Sequence, residues 1–120
     1  MSTQKHRRSS DALVLVAKEY IEAHSLEKFS LRKISEALYI NGSYLLRQFK
    51  SGTGQTLLEY HNALRCEKAK DLLRTTDMGI SEIGEAVGFV SSAHFSHVFR
   101  KITGCTPTSY RESSKEAEQI

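Results

Sequence analysis

The sequence predicts an all-α fold of about seven helices, in which a long helix joins two helix-turn-helix subdomains. One proline and seven glycines in 120 residues are too few for the many turns of a β-sandwich or barrel. Apolar residues recur at helical spacing along most of the chain. The second half also repeats the first at an offset of 49 residues, which becomes 50 after one extra residue in the turn. The matched pairs are Ile34/Ile83, Glu36/Glu85, Ala37/Ala86, Leu38/Val87, Leu45/Phe95, Phe49/Phe99, Lys50/Arg100, Gly54/Gly104, Thr56/Thr106 and Tyr60/Tyr110.

The first subdomain is expected over residues 10–54, after a flexible basic arm at residues 1–9. Ser10 is expected to cap a helix that ends near His24, because serine oxygens accept hydrogen bonds from free N–H groups at helix starts. The apolar residues of this helix form one stripe of five, Leu13, Val16, Ala17, Tyr20 and Ile21.

Two shorter helices complete this first subdomain. Ser30 is expected to cap the first of them, and Asn41 the second, over about 42–51. The inward residues predicted for the first are Leu31, Ile34, Ala37 and Leu38, and those for the second are Tyr44, Leu45, Phe49 and, in part, Gln48. Ala37 and its counterpart Ala86 are expected where the two helices of each unit cross closely, so that large side chains would not fit.

The linker helix is expected over residues 55–75 and the second subdomain over residues 76–111. Thr56 opens the linker, which is predicted to be the longest helix. A short helix over about 80–87 closes at Gly88, a residue suited to a left-handed end. The next helix, over about 92–103, is expected to bury Phe95, Val98, Phe99 and Ile102. Thr106 and Pro107 start a last short helix, and residues 112–120 are predicted to be a flexible tail.

Charge is distributed unevenly, although the formal net charge is only +3. No acidic residue lies between Glu36 and Glu59 or between Glu85 and Glu112. Each acid-free window covers the second helix of one repeat, the helix that a helix-turn-helix most often presents to the major groove of DNA. Two positive, phosphate-facing surfaces are therefore predicted. The alternative is that windows this short lack acids by chance.

Other classes of function find little support in the residues. No apolar run approaches the roughly 20 residues of a membrane span, so a cytoplasmic protein is expected, with no membrane partner. Cys66 and Cys105 lie far apart and are expected to be packing residues. His94 and His97 have a spacing that a metal could use, but no third ligand is near. We expect no catalytic residues, no metal and no cofactor, because no acid pair, activated nucleophile or glycine-rich phosphate loop is present.

Two stretches of the chain together match the pattern of one protein family. The first runs from Tyr44 to Lys50 and continues at Gly54, Tyr60, Leu64, Arg65, Ala69, Leu72 and Leu73. The second comprises Ile80–Gly84, Val87–Phe89, Phe95, Phe99–Lys101, Gly104, Pro107, Tyr110 and Arg111. In these residues the chain resembles the DNA-binding domain of AraC/XylS-type regulators, and the resemblance covers about residues 10–111. It implies a bacterial transcription regulator, usually an activator that contacts RNA polymerase, with two helix-turn-helix units on a long helix.

Four residues depart from the family pattern. One of them, Asn41, replaces the common serine cap and should do the same job. Tyr39 stands in the first turn, where a residue that tolerates a left-handed backbone is common, so either strain of about 1 kcal/mol or a shifted turn is expected. Gly79 and Gly84 stand where serine and alanine are frequent, which predicts that the fifth helix is locally less stable, by up to about 1 kcal/mol for each glycine.

Candidate DNA contacts lie on the outward faces of the third and sixth helices. The predicted base-contacting residues are Ser43, Leu46, Arg47, Ser92, Ala93, Ser96 and His97, of which the resemblance indicates Ser96 and His97. The predicted phosphate-contacting residues are Lys50, Arg100 and Lys101. Arg47 is the strongest candidate because its guanidinium can donate two hydrogen bonds to guanine. Arg47 and His97 could instead contact only phosphate, and Leu46 could pack inward.

A rigid linker would hold the two recognition helices about 34 Å apart, one turn of B-DNA, on one face of the duplex. One monomer would then bind an asymmetric site of about 20 base pairs, and DNA bending would contribute if the helices were not parallel. The chain could be a stand-alone regulator or the end of a longer one, which could dimerise. The alternative function is an architectural protein that coats DNA without reading its sequence.

Overall fold

The computed structural model describes the backbone of residues 2–119 and the side chains of residues 11–117. Over this part of the chain it contains seven α-helices and no strand, which confirms the predicted fold class. The helices are α1 (Ser2–Ala23), α2 (Leu31–Leu38), α3 (Gly42–Thr53), α4 (Leu57–Thr75), α5 (Ile80–Ala86), α6 (Ser92–Thr103) and α7 (Pro107–Gln119). None of the helices within these bounds is long and apolar enough to cross a bilayer.

The predicted helix caps are present at the starts of α2 and α3. The Ser30 hydroxyl accepts a hydrogen bond from the Lys33 N–H at 3.2 Å, and Asn41 Oδ1 accepts one from the Tyr44 N–H at 3.1 Å. Gly88, at the predicted end of the fifth helix, has a φ of +98°. These local signals were predictable because each depends on residues within one turn of the chain.

The helices form two compact units. The first unit contains the chain up to His24 together with Phe29–His61, and the second contains Ser25–Lys28 and the chain from Asn62 onward. Helix α4, which lies in the predicted 55–75 linker, is therefore divided between the units.

The core of the first unit is formed where α1 packs against α2 and α3. Its fully enclosed side chains include Ala17, Ile21, Leu45 and Phe49. The start of α4 adds Tyr60, whose ring meets that of Phe49 edge-on, with centroids 5.6 Å apart. The Tyr60 hydroxyl donates to Glu22 Oε1 at 2.8 Å. Burial, and then this hydrogen bond, raise the pKa of Tyr60 to about 12.

The core of the second unit is centred on three phenylalanines. Phe89, Phe95 and Phe99 lie in a row, with successive ring centroids 5.4 and 5.7 Å apart. Tyr110 of α7 meets the Phe99 ring edge-on at 5.7 Å, as Tyr60 meets Phe49 in the first unit. The other buried members of this core are Cys66, Ala69, Leu73, Ile83, Val87 and Val98. Burial raises the pKa of the Cys66 thiol to about 11, consistent with the predicted packing role.

Two arginines of the second unit hold backbone carbonyls. Arg65 is buried, donates from Nε to the Ser25 carbonyl at 3.0 Å, and also donates to the Glu27 carbonyl. Its guanidinium lies 5.1 Å from the centre of the Phe89 ring, and burial lowers its pKa. Arg111 donates to the Leu73 and Thr76 carbonyls at 3.1 and 3.2 Å. Arg65 therefore pairs with backbone carbonyls in the segment after α1, and Arg111 with carbonyls at the end of α4 and just after it.

Both ends of the chain are more helical than predicted. Helix α1 begins at Ser2, so the predicted arm is helical over residues 2–9 and the helix does not start at Ser10. The side chains of residues 1–10, including the Ser10 hydroxyl, lie outside the described residues. Helix α7 continues through the predicted tail to Gln119. With 22 residues, α1 is longer than α4, which has 19, so the prediction that the linker is the longest helix was wrong.

Several predicted inward residues face solvent. Val16 and Ile102 are exposed although each was assigned to an apolar inner face. His61 is buried, and its ring meets the Phe29 ring edge-on at 5.5 Å.

Ala37 and Ala86 were also expected inside, at close helix crossings, but both are exposed. The close approach in the second unit occurs at Gly84 instead. A Cβ placed on Gly84 would lie 2.9 Å from Cδ2 and 3.0 Å from Cβ of Phe95, which is fully buried. Because Gly84 has no side chain, α6 can approach α5 closely. The lower helix stability expected from a glycine in α5 is therefore linked to a packing requirement at this position.

The substitution Gly84→Val is expected to destabilise the protein because the added methyl groups would overlap the immobile base of Phe95. Overpacking of this kind costs about 1–3 kcal/mol. Ala86→Val is the matched control, since it adds a valine to the same helix at an exposed position. Urea unfolding should show the larger loss for Gly84→Val, and equal losses for the two variants would contradict the packing described here.

Candidate nucleic-acid interface

Helix α3 is fixed by its caps and by one buried face. Asn41 caps its start, and Gly54 ends it with a φ of +78°. Leu45 and Phe49, one turn apart, are both completely buried. Because side chains repeat every 3.6 residues around a helix, burial of these two residues directs the opposite face to solvent.

The exposed face of α3 carries all the predicted contact residues of the first unit. Ser43, Arg47 and Lys50 are exposed. Leu46 is 39% exposed, so it does not pack inward as the alternative interpretation required. These residues follow the spacing i, i+3, i+4, i+7 and therefore share one face. The face combines a guanidinium, an ammonium, a hydroxyl and an apolar side chain, the groups that bind phosphates and base edges.

The Lys50 side chain is exposed and also makes a local hydrogen bond. Its ammonium donates a hydrogen bond to the Gly54 carbonyl at 3.1 Å, at the carboxyl end of α3. A lysine ammonium has three donors, so this bond leaves two for a phosphate. The exposed ammonium is compatible with the predicted phosphate contact. Its positive charge and this hydrogen bond also stabilise the carboxyl end of α3.

Helix α6 has the same construction. The Ser91 hydroxyl accepts from the His94 N–H at 3.1 Å, and Gly104 ends the helix with a φ of +88°. Phe95 and Phe99 are completely buried, as their counterparts in α3 are. The outward positions correspond at an offset of 50 residues, as Ser43/Ala93, Leu46/Ser96, Arg47/His97 and Lys50/Arg100.

The predicted contact residues of the second unit differ in exposure. Ala93, His97, Arg100 and Lys101 are exposed, whereas Ser92 and Ser96 are half-buried. His94 is exposed, and its ring meets Phe89 edge-on at 5.3 Å. Among the residues whose side chains are described, no three potential metal ligands of the His, Cys, Asp or Glu type lie together.

Helices α2 and α5, the first helices of the two repeats, differ in charge, and this difference was not predicted. Arg32 and Lys33 are exposed in the first turn of α2, and Arg32 has an ion pair with Glu36 at 3.8 Å. The corresponding residues of α5 are Ser81 and Glu82. Comparing the repeats at an offset of 49 residues would have revealed this difference from sequence alone.

The turn between α5 and α6 also borders a cleft of about 410 Å³. It is lined by Ser81, Glu85, Phe89, Val90, Ser91 and Ser92. The carboxylate of Glu85 makes this cleft unfavourable for a phosphate, because two negative charges would lie close together. Glu36 is the matching carboxylate of the first unit, so the difference between the two regions lies in Arg32 and Lys33, which Ser81 and Glu82 replace.

Comparison with known proteins identifies this arrangement. A family model described as a helix-turn-helix domain matches residues 34–113, about two thirds of the chain. The chain belongs to the AraC/XylS-type family. This is a family of DNA-binding transcription regulators, as the resemblance implied.

Relatives and solved structures of the AraC/XylS type show how far the similarity extends. The xylose operon regulatory protein of Escherichia coli K12 is 32% identical over 111 residues, 92% of this chain and 28% of that protein. The C-terminal domain of AraT, a response regulator from Geobacillus stearothermophilus, superposes with a TM-score of 0.80 at 33% identity, covering 84% of each chain. The DNA-binding domain of AdpA, solved in complex with a target DNA, gives 0.73 at 26% identity, covering 90% of this chain and 94% of that one. The chain thus spans less than a third of the xylose regulator's length.

Proposed function

We propose that the chain is a sequence-specific duplex-DNA binder in which α3 and α6 each enter a major-groove segment. The single observation that carries the proposal is the repeated exposed face, presented by two capped helices whose opposite faces are buried in separate cores. A side chain must be both exposed and held rigidly to read a base edge, and this arrangement meets both requirements. The protein would act in the cytoplasm, at the nucleoid.

Within this proposal, the first unit supplies more of the affinity and of the sequence preference. Exposed Arg32 and Lys33 lie in the first turn of α2, whereas Ser81 and Glu82 stand at the matching positions of α5. In the second unit, the cations Arg65 and Arg111 are engaged with backbone carbonyls. Arg47 in the first unit also has a stronger capacity for bidentate base contacts than His97 at the matching position.

We further propose that binding regulates transcription by positioning RNA polymerase, most often as activation. This part rests on membership of the AraC/XylS-type family. One chain would suffice as a monomer, because it carries both recognition helices. A longer regulator that contains this domain could dimerise through other segments.

The decisive experiment is selection of bound duplexes from a random pool, followed by sequencing. A bipartite consensus with one element for each recognition helix is expected, and the separation of the elements would report the spacing directly. An architectural protein that contacts only phosphates would enrich no consensus. Its binding would also be abolished by excess random DNA at physiological salt.

Arg47→Ala is expected to weaken binding to the selected duplex by about 1–3 kcal/mol and to relax the preference at one base pair. His97→Ala, at the matched position in α6, should cost less because the second unit supplies less affinity. Anisotropy titrations with the selected duplex and its single-base variants measure both effects. Losses that are equal for the two variants and independent of sequence would refute the assignment of Arg47 as a base-reading residue.

Lys101→Ala is expected to lower the affinity for all duplexes evenly, because an ammonium on a phosphate carries no sequence information. The slope of log affinity against log salt should become shallower by about one. Lys115→Ala removes an exposed lysine of α7 and should leave the slope unchanged. A Lys101 variant with the wild-type slope would show that this residue does not contact phosphate.

A further inference from the structure

Tyr39 has a backbone conformation that is unfavourable for a residue with a side chain. It follows α2 with φ +55° and ψ +46°, in the left-handed region, and is the one non-glycine residue with a positive φ in the described part of the chain. The Cβ of an L-residue approaches the following carbonyl oxygen in this region, so glycine is usual there. Of the two alternatives predicted for this turn, strain and a shifted turn, the structure shows strain at Tyr39.

The protein itself gains little from this side chain. Tyr39 is 96% exposed, so its ring is not packed against the core. The hydrogen bonds of the turn are made by backbone groups, with the Tyr39 N–H donating to the Glu36 carbonyl at 3.3 Å. Strained residues of this kind cluster at functional sites, and an observed outlier is a reason to look for a function.

The second unit provides an internal comparison, because Gly88 stands at the matching position of its turn. Gly88 also has a positive φ, +98°, so the left-handed conformation is common to both turns. A Cβ at Gly88 would overlap the Leu26 carbonyl oxygen, which excludes a side chain there. In the first unit the matching position is exposed to solvent, so it can accommodate the tyrosine side chain found there.

Tyr39 lies close to the candidate DNA-binding helix α3. It precedes Gly42, the first residue of α3, by three positions, so its Cα lies within about 10 Å of the start of that helix. Tyrosine hydroxyls are among the groups that bind DNA phosphates. We propose that Tyr39 is a backbone contact of the first unit, and that its hydroxyl donates a hydrogen bond to a phosphate oxygen bordering the groove that α3 enters. This inference rests on the DNA binding proposed above.

Two substitutions separate this role from a structural one. Tyr39→Gly removes the side chain and relieves the backbone strain, so the urea midpoint should be unchanged or higher. Its affinity for the selected duplex should nevertheless fall about tenfold, as expected for a hydrogen bond to a charged group. Tyr39→Phe keeps the ring and should show a similar loss. The salt slope should stay at the wild-type value, because a neutral hydroxyl displaces no counterion.

A scan of methylphosphonate substitutions along the duplex identifies the phosphate. Neutralising the phosphate that Tyr39 contacts should weaken the wild-type protein, and the Tyr39→Phe variant should lose little further affinity at that one position. Leu15→Ala is the control, because it removes another exposed side chain of the first unit from α1. It should leave both the affinity and the phosphate pattern unchanged.

The outcomes distinguish this inference from the proposed function. If the wild-type protein does not prefer the selected duplex over a scrambled one, DNA reading itself is refuted. If the wild type discriminates and both Tyr39 variants bind like it, the phosphate contact alone is refuted, and a protein partner becomes the alternative for this side chain. Loss in Tyr39→Gly without loss in Tyr39→Phe would overturn the role of the hydroxyl.

Discussion

The constraint on which both candidate interfaces depend is the burial of two residues one turn apart on each recognition helix. Leu45 and Phe49 in α3, and Phe95 and Phe99 in α6, have no exposed surface. Burying such side chains contributes roughly 1.5–3 kcal/mol each, so rotating either helix about its axis would be strongly unfavourable. The outward residues are consequently fixed by the core, and the glycine after each helix ends that face at a defined point.

Charge must be considered together with the partners of each cation. The second unit has more basic residues than the first, but Arg65 and Arg111 hold carbonyls at helix ends or beyond them. Lys70 is paired with Glu67 at 3.0 Å, and Arg74 with Asp71. In the first unit, exposed Arg32 and Lys33 of α2 add positive charge where α5 of the second unit has Ser81 and Glu82. Two repeats with the same architecture can thus differ in their affinity for a polyanion.

Local sequence signals predicted the helices and caps well, and they failed where a property depends on how two elements meet. Ser30 and Asn41 were identifiable because a capping bond joins residues three apart. The exposure of Ala37 and Ala86 was not predictable, since a small residue at helical spacing does not reveal which side a neighbouring helix approaches. Gly84 was interpreted through helix propensity, although its packing against Phe95 decides its role. The bonds from Arg65 to the segment after α1 involve residues 38 and 40 positions away and have no local pattern.

The internal repeat separates the residues that fold the protein from those proposed to read DNA. Buried and capping positions keep their chemistry between the units, as in Phe49/Phe99 and Gly54/Gly104. The outward positions of α3 and α6 differ, as in Arg47/His97. Because outward side chains contribute little to the core, their replacement costs little stability. In a domain built in this way, the proposed DNA-reading residues can change while the fold is retained. The two turns also tolerate different residues at one position, since one left-handed position holds a glycine and the other an exposed tyrosine.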